Sequence, residues 1–244
     1  MALNLELKNI PKLQAKVFEF NSETYYKKTE RPFDTSINLE GLVPAETYDY
    51  DYSSIAPSKK HTETLEFPRI GKGKRGLFIV EFIGNGYSAR AVIKKGSLQM
   101  ISKPSIGGHL CYLVDENREI VKQEGSGIYF GKEFFKVQDK GKIFIPYAKI
   151  SQNGKAILIS CEMAQLCDFT RLSEAYSMTT SFHLNSESVL TGQEAQIVIK
   201  PILKINNRMA GVDLLRNCKV TLVTNSYNDD LPVTKIFENV KFTN

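Results

Sequence analysis

Catalysis draws on nucleophiles, titratable side chains and phosphate-cradling glycines, and few of these stand at useful spacings in this chain of 244 residues. Histidine occurs three times, at His61, His109 and His183. His109 and Cys111 are two apart, so on a strand they share a face, and an imidazole beside a thiol can hold a thiolate. Same-face neighbours on one strand lie about 7 Å apart, which is too far for the proton transfer that activation needs. Gly71-x-Gly73-x-x-Gly76 has the spacing of a dinucleotide-binding loop. That loop follows a strand and opens a helix whose N-terminus holds the phosphates, whereas here Pro68 precedes and the strand-like run Leu77 to Ile83 follows. It reads as a basic loop between strands. No Gly-x-Ser-x-Gly elbow, His-Glu-x-x-His pair or Asp-x-Asp-x-Asp-Gly loop occurs. The residues therefore predict no enzyme, no cofactor and no metal site.

The four cysteines, Cys111, Cys161, Cys167 and Cys218, contain no Cys-x-x-Cys pair and are too few for a disulfide scaffold. They read as small buried side chains, with one disulfide left open. Formal net charge is +5, with basic clusters at Lys59-Lys60, Lys72-Lys74-Arg75 and Lys94-Lys95. Acidic stretches at Asp49 to Asp51 and Asp229-Asp230 interleave with them, and no dense basic stripe forms, so nucleic acid is not an expected partner. Lysines on exposed strand edges, which discourage sheet-to-sheet pairing, account for these clusters. No apolar window approaches the length of a membrane span, the opening MALNLELKNIPKLQ lacks the pattern of a secretion signal, and no Asn-x-Ser/Thr acceptor occurs. With 14 Phe, 11 Tyr and 42% hydrophobic residues, the chain is rich enough to bury a core rather than remain disordered.

The elements that position these residues read as strands. Asn85-Gly86 between two β-rich runs predicts a two-residue type I′ hairpin. That turn fixes the register: Phe82 faces Ala89, Val80 faces Ala91 and Phe78 faces Ile93 on one apolar side. On the other side Glu81 faces Arg90, Ile79 faces Val92 and Ile83 faces Ser88. The same logic predicts a second hairpin over residues 142–161, turning at Asn153-Gly154 with Ile150 opposite Ile157. Tyr176, Met178, Thr180, Phe182 and Leu184 alternate with small or polar residues at period two. So do Tyr48, Tyr50 and Tyr52, between Thr47, Asp49 and Asp51. This tyrosine face is the candidate interaction surface, although core burial is the expected fate of its rings. Residues 162–172 supply the one helix candidate, the alternative being a strand that continues into a loop. Many short strands without intervening helices predict an all-β fold of tandem antiparallel immunoglobulin- or fibronectin-like sandwiches. Boundaries at the turn-rich segments around Ile101 to Gly108 and Phe169 to Glu174 give units 1–102, 103–170 and 171–244, the last short for a full sandwich and expected to be cut within its domain.

The run Leu190-Thr191-Gly192-Gln193-Glu194, continuing to Ile199 and then Asn206-Asn207-Arg208, Val212 and Val220 to Val223, resembles the entry into a macroglobulin-type domain. Asn9 to Leu13, Glu23 to Tyr26, Ile37 to Val43 and Gly76 to Gly96 are similar to the N-terminal region of large alpha-2-macroglobulin-like proteins. Asp115 to Asn117 and Asp139 to Pro146 resemble small transthyretin-like or regulatory-like sandwiches. The Gly-Cys-Gly-Glu-Gln thioester motif of that family is absent. The resemblance implies a non-catalytic structural or protein-interaction segment, whose partners are other protein subunits or further domains of the same large protein. The alternative is a carbohydrate-binding or adhesive surface module, which would expose coplanar aromatic rings.

Overall fold

A computed structural model describes residues 1–244 apart from 72, 74, 161, 162, 191, 226–230 and 244. The chain divides into two compact units. The first comprises Met1–Lys103, His109–Ile145 and Gln152–Arg171, and the second Pro104–Gly108, Pro146–Ser151 and Leu172–Asn244.

The first unit begins with β1 (Ala2–Leu7), β2 (Lys12–Phe20) and the helix α1 (Ser22–Thr29), then β3 (Glu46–Asp51) and β4 (His61–Glu66). A short helical turn α2 (Pro68–Gly71), β5 (Gly76–Gly84) and β6 (Tyr87–Lys95) follow. β3, β2, β5 and β6 form one antiparallel sheet in that order, and β1 pairs with β4 in a second. Between them lie Leu13, Ala15 and Val17 from β2, Phe78, Val80 and Phe82 from β5, and Leu7, Leu65 and Phe67. The hairpin β5–β6 has the register set by its turn, including Phe82 with Ala89 and Glu81 with Arg90. Asn85 and Gly86 both take positive φ, as a type I′ loop requires. Arg90 Nη2 reaches Glu81 at 2.9 Å, and Arg90 Nη1 donates to the Ile37 carbonyl, which ties the loop before β3 to this sheet.

Further along come β7 (Gln99–Pro104), β8 (Gly108–Val114), β9 (Gly127–Phe130), β10 (Glu133–Lys136), β11 (Ile143–Pro146), β12 (Gln152–Ile159) and β13 (Ala164–Arg171). These build the sheets β10-β9-β12-β13 and β11-β8-β7. β12 is buried on two sides. Ala156 and Leu158 join a core with Cys111, Leu113, Ile128, Ile143 and Ile145. Ile157 and Ile159 join another with Phe18, Tyr26, Phe33, Leu77 and Ile79. The two sheet systems of this unit thus share a core, and burying each such isoleucine contributes about 1.5–3 kcal/mol.

Three sequence expectations fail here, each for a local reason. Residues 162–172 were the one helix candidate, with a strand continuing into a loop as the alternative, and it is the strand that forms: Ala164–Arg171 pair along their length with β12. Ala164 and Leu166 pack on one core while Met163, Cys167 and Phe169 pack on the other, so a strand buried on both faces lost the alternation that marks a strand. Asn153-Gly154 does not turn; both residues lie inside β12, opposite Thr170 and Phe169. Gly154 lets the Phe130 ring pack close to the strand, since a Cβ would come within 3.3 Å of it. Ile150 accordingly does not face Ile157, whose strand partners are Leu166 and Tyr129. Finally, α1 stands where no helix was expected. Asn21 Oδ1 caps it by accepting from Thr24 N at 2.9 Å, Lys27 bridges Glu23 one turn away, and Glu30 ends it in the left-handed region.

The second unit holds β14 (Tyr176–Leu184), β15 (Ile197–Ile205), β16 (Arg208–Ala210), β17 (Cys218–Thr224) and β18 (Val233–Val240). β14, β15 and β16 form a three-stranded antiparallel sheet, and β17 pairs with β18. The expected period-two strand at Tyr176 to Leu184 is present in full.

Candidate interaction surface on the first sheet

β3 is an edge strand, bonded on one side to β2. Its register sets Tyr48 opposite Ala15 and Tyr50 opposite Leu13, both of which point into the core, so the tyrosines point there too. All three rings, Tyr48, Tyr50 and Tyr52, pack against that core and are half-buried. Tyr48 meets Phe67 edge to face, Tyr52 meets His61 likewise, and Tyr50 and Tyr52 lie nearly parallel at 8° with centroids 6.4 Å apart. The rings therefore act mainly as core, with their outer edges reaching solvent.

Polar partners fix the strip. The Tyr48 hydroxyl donates to Glu46 Oε2, and this bond, with burial and the carboxylate charge, pushes the phenol up to about 12. Arg69 Nη1 sits 3.9 Å from the other Glu46 oxygen and slightly offsets that effect. Burial raises the hydroxyls of Tyr50 and Tyr52 as well. On the opposite face Asp49 accepts from Gln14 Nε2 at 2.9 Å. Asp51 accepts from Ser53 N at 2.8 Å, and the Ser53 hydroxyl together with that amide holds its carboxyl below the usual range.

The edge itself follows from one bond. Tyr52 N donates to the Pro11 carbonyl, so the tyrosine backbone groups turn toward β2 and those of Thr47, Asp49 and Asp51 turn away. The result is a ladder edge with two exposed carboxylates beside it. Of the basic clusters, Lys60 pairs with Glu6, Lys95 Nζ donates to the Ile70 and Gly71 carbonyls, and Arg75 Nη2 reaches Glu116 at 2.8 Å. Lys72, Lys74, Cys161 and Asp229-Asp230 lie outside the described residues.

His109 and Cys111 do share the inner face of β8, and both are buried. His109 packs edge to face on Phe169, and burial, with the Arg171 charge, lowers its affinity for a proton. Burial raises the Cys111 thiol, and Cys167 is pushed up to about 11 chiefly by burial. Activated cysteines need the reverse, a thiol lowered by a neighbouring cation. Cys111, Cys167 and Cys218 are free thiols. Among the described residues no group of three or more His, Cys, Asp or Glu is placed to hold a metal ion, and no helix is long and apolar enough to cross a membrane. Sequence reasoning missed the groups that join the two sheet systems of the first unit. Arg75 reaches Asp115 and Glu116, and Ser22 Oγ accepts from Ala164 N across 142 positions. Contacts at that sequence separation leave no local pattern to read.

Strand-only antiparallel sheets packed in tandem place the chain in the class of all-β proteins with immunoglobulin-like domains. Residues 13–96 match the family model of the AbpF first immunoglobulin-like domain, and residues 185–244 that of the AbpF third immunoglobulin-like domain. The chain is 33% identical over 239 residues to Actin-binding protein F of Dictyostelium discoideum, a match covering 96% of this chain and 10% of that relative. The chain thus spans about a tenth of the length of the curated relative it matches. No solved structure matches. These matches overturn the resemblance to alpha-2-macroglobulin-like proteins. Of the residues that carried it, Gln193 N donates to the Leu190 carbonyl and Ile197 to Ile199 begin β15, features that many two-sheet sandwiches share.

Proposed function

We propose that this chain is a non-catalytic protein-interaction segment of three immunoglobulin-like domains, 1–102, 103–170 and 171–244, whose protein partner is actin. The observation that carries the reading is the likeness along nearly the whole chain to a protein named for actin binding. The order of the family matches, a first domain at 13–96 and a third at 185–244, supports a second domain between them. The chemistry agrees, since burial raises the Cys111 and Cys167 thiols, the reverse of what an activated cysteine needs. Rigid sheets of this kind bind through loops and edges.

On this reading the outer edge of β3 is the contact strip, with Thr47, Asp49 and Asp51 offering backbone groups and carboxylates and Tyr48, Tyr50 and Tyr52 holding the strand rigid from behind. Hydrogen-exchange mass spectrometry of the chain with and without filamentous actin tests it. Slower exchange confined to peptides spanning β3 and its flanking loops is expected. Protection elsewhere, with β3 unchanged, would move the contact to another element.

A further inference from the structure

Two of the free thiols stand on facing sheets of one core. β7 and β8 are neighbours in the sheet β11-β8-β7, and β13 is the edge strand of the sheet β10-β9-β12-β13. Their inner faces meet at two levels. Just before β7, Leu98 N donates to Gln165 Oε1 of β13 at 2.8 Å. At the other end the His109 ring of β8 packs on the Phe169 ring, with centroids 5.2 Å apart. Gln165, Cys167 and Phe169 alternate along β13, so Cys167 falls between those two contacts, on the side that packs into the core. Cys111 stands two residues beyond His109 on the inner face of β8 and belongs to the same core. The chain doubles back between β7 and β8, where Ser105 N donates to the Gly108 carbonyl, so Cys111 likewise lies between the His109 and Leu98 levels. Its Sγ is 3.5 Å from Ser102 Oγ of β7.

Immunoglobulin-like sandwiches that carry an inter-sheet disulfide place it between central strands. Here the central strands β9 and β12 hold no cysteine, and the residue paired with Cys167 on β12 is Ala156, whose methyl leaves room in the core. The Cys167 thiol is raised by burial first, then by Asp168 and Cys111, and the last influence fades with distance, so it marks the two cysteines as neighbours. We propose that Cys111 and Cys167 form an oxidation site, closing a disulfide between β8 and the edge strand β13 when the chain meets a small-molecule disulfide such as oxidised glutathione. Cys167 is partly exposed and Cys111 fully buried, so Cys167 attacks first. Its sulfur bonds to one glutathione sulfur, and the other leaves as a thiol with the Cys167 proton. The Cys111 sulfur then displaces the bound glutathione, which departs with the Cys111 proton. Two cysteine thiols are thereby oxidised and one glutathione disulfide is reduced to two thiols. Both thiols are raised, so the exchange is slow, and its product ties one sheet of the sandwich to the other. The inference goes beyond actin binding and does not rest on it.

Peptide mapping by mass spectrometry tests the proposal on the full chain, brought to equilibrium in a native, mildly alkaline, oxidising glutathione buffer and then alkylated. A peptide pair joined through Cys111 and Cys167 is expected, two hydrogens lighter than the separate peptides. The first unit should also melt at a higher temperature, and a reductant should reverse the rise. Cys167→Ala should lose both the link and the rise, and Cys218→Ala should keep both. The map is read on the wild-type chain, so it decides the matter even where a variant folds poorly. Cys111 and Cys167 both alkylated at equilibrium, Cys167 left as a mixed disulfide with glutathione, or either sulfur joined to Cys161 or Cys218 would overturn the assignment.

Discussion

Ile157 is 1% exposed, pairs with Tyr129 and Leu166 in its own sheet, and packs in one cluster with Phe18, Leu77 and Ile79 of the first sheet system. Ile157→Ala removes three carbons from that cluster. The transfer loss is about 2.4 kcal/mol at ~0.8 per methylene, and the cavity left behind brings the total to roughly 3 kcal/mol. If the shared core makes the first unit one cooperative body, the same 3 kcal/mol must appear in strands far from the substitution. Hydrogen exchange in β5, whose Leu77 and Ile79 touch the cluster, should accelerate by about two orders of magnitude under native conditions, as should exchange in β12 and β13. Melting should fall by roughly 10 °C in a single transition, at ~2–4 °C per kcal/mol for a unit of this size. A split of the first unit's own transition into two, or faster exchange in β12 and β13 with β5 unchanged, would refute the idea that the sheet systems fold together.

Tyr48 tests the electrostatics of the strip. Its phenol is raised above its ordinary value, so the bond to Glu46 stabilises the fold fully below pH 10 and the contribution disappears as pH rises through about 12. Urea midpoints of wild type and Tyr48→Phe should therefore differ at neutral pH and converge at the alkaline end; a difference that grows with pH would contradict the assignment. Cys167, with its thiol pushed up to about 11, should react with a thiol-directed disulfide reagent at pH 8 about a hundredfold more slowly than an unperturbed cysteine, and denaturation should erase the gap. Arg75→Ala removes contacts to Asp115 and Glu116 from a partly exposed site, so equilibrium denaturation should record a loss of no more than about 1 kcal/mol.

The parts of the fold legible in the sequence are those governed by short-range rules. Asn85-Gly86 permits positive φ at both positions of a tight turn, and the register from Phe78 to Ile93 then follows by counting. Tyr176 to Leu184 alternates cleanly because one of its faces is polar. Where a strand is buried on two sides the alternation vanishes, and so β13 looked helical. Where a glycine lets the Phe130 ring pack close, as Gly154 does, it looked like a turn. The tyrosine strip was legible as a face, since Tyr48, Tyr50 and Tyr52 fall on one side of a strand. Its position at the sheet edge was not, because β3 pairs with a strand about thirty to forty residues before it across a long loop. α1 was overlooked although Asn21, Glu23 and Lys27 supply a cap and a one-turn ion pair, since eight residues give little hydrophobic periodicity.

The central claim, that this chain is a protein-binding segment directed at actin, is tested most directly by co-sedimentation of the purified chain with filamentous actin. Saturable recovery in the pellet is expected, with binding reduced at least tenfold by Asp49→Lys combined with Asp51→Lys. A chain that remains in the supernatant at all filament concentrations would contradict it.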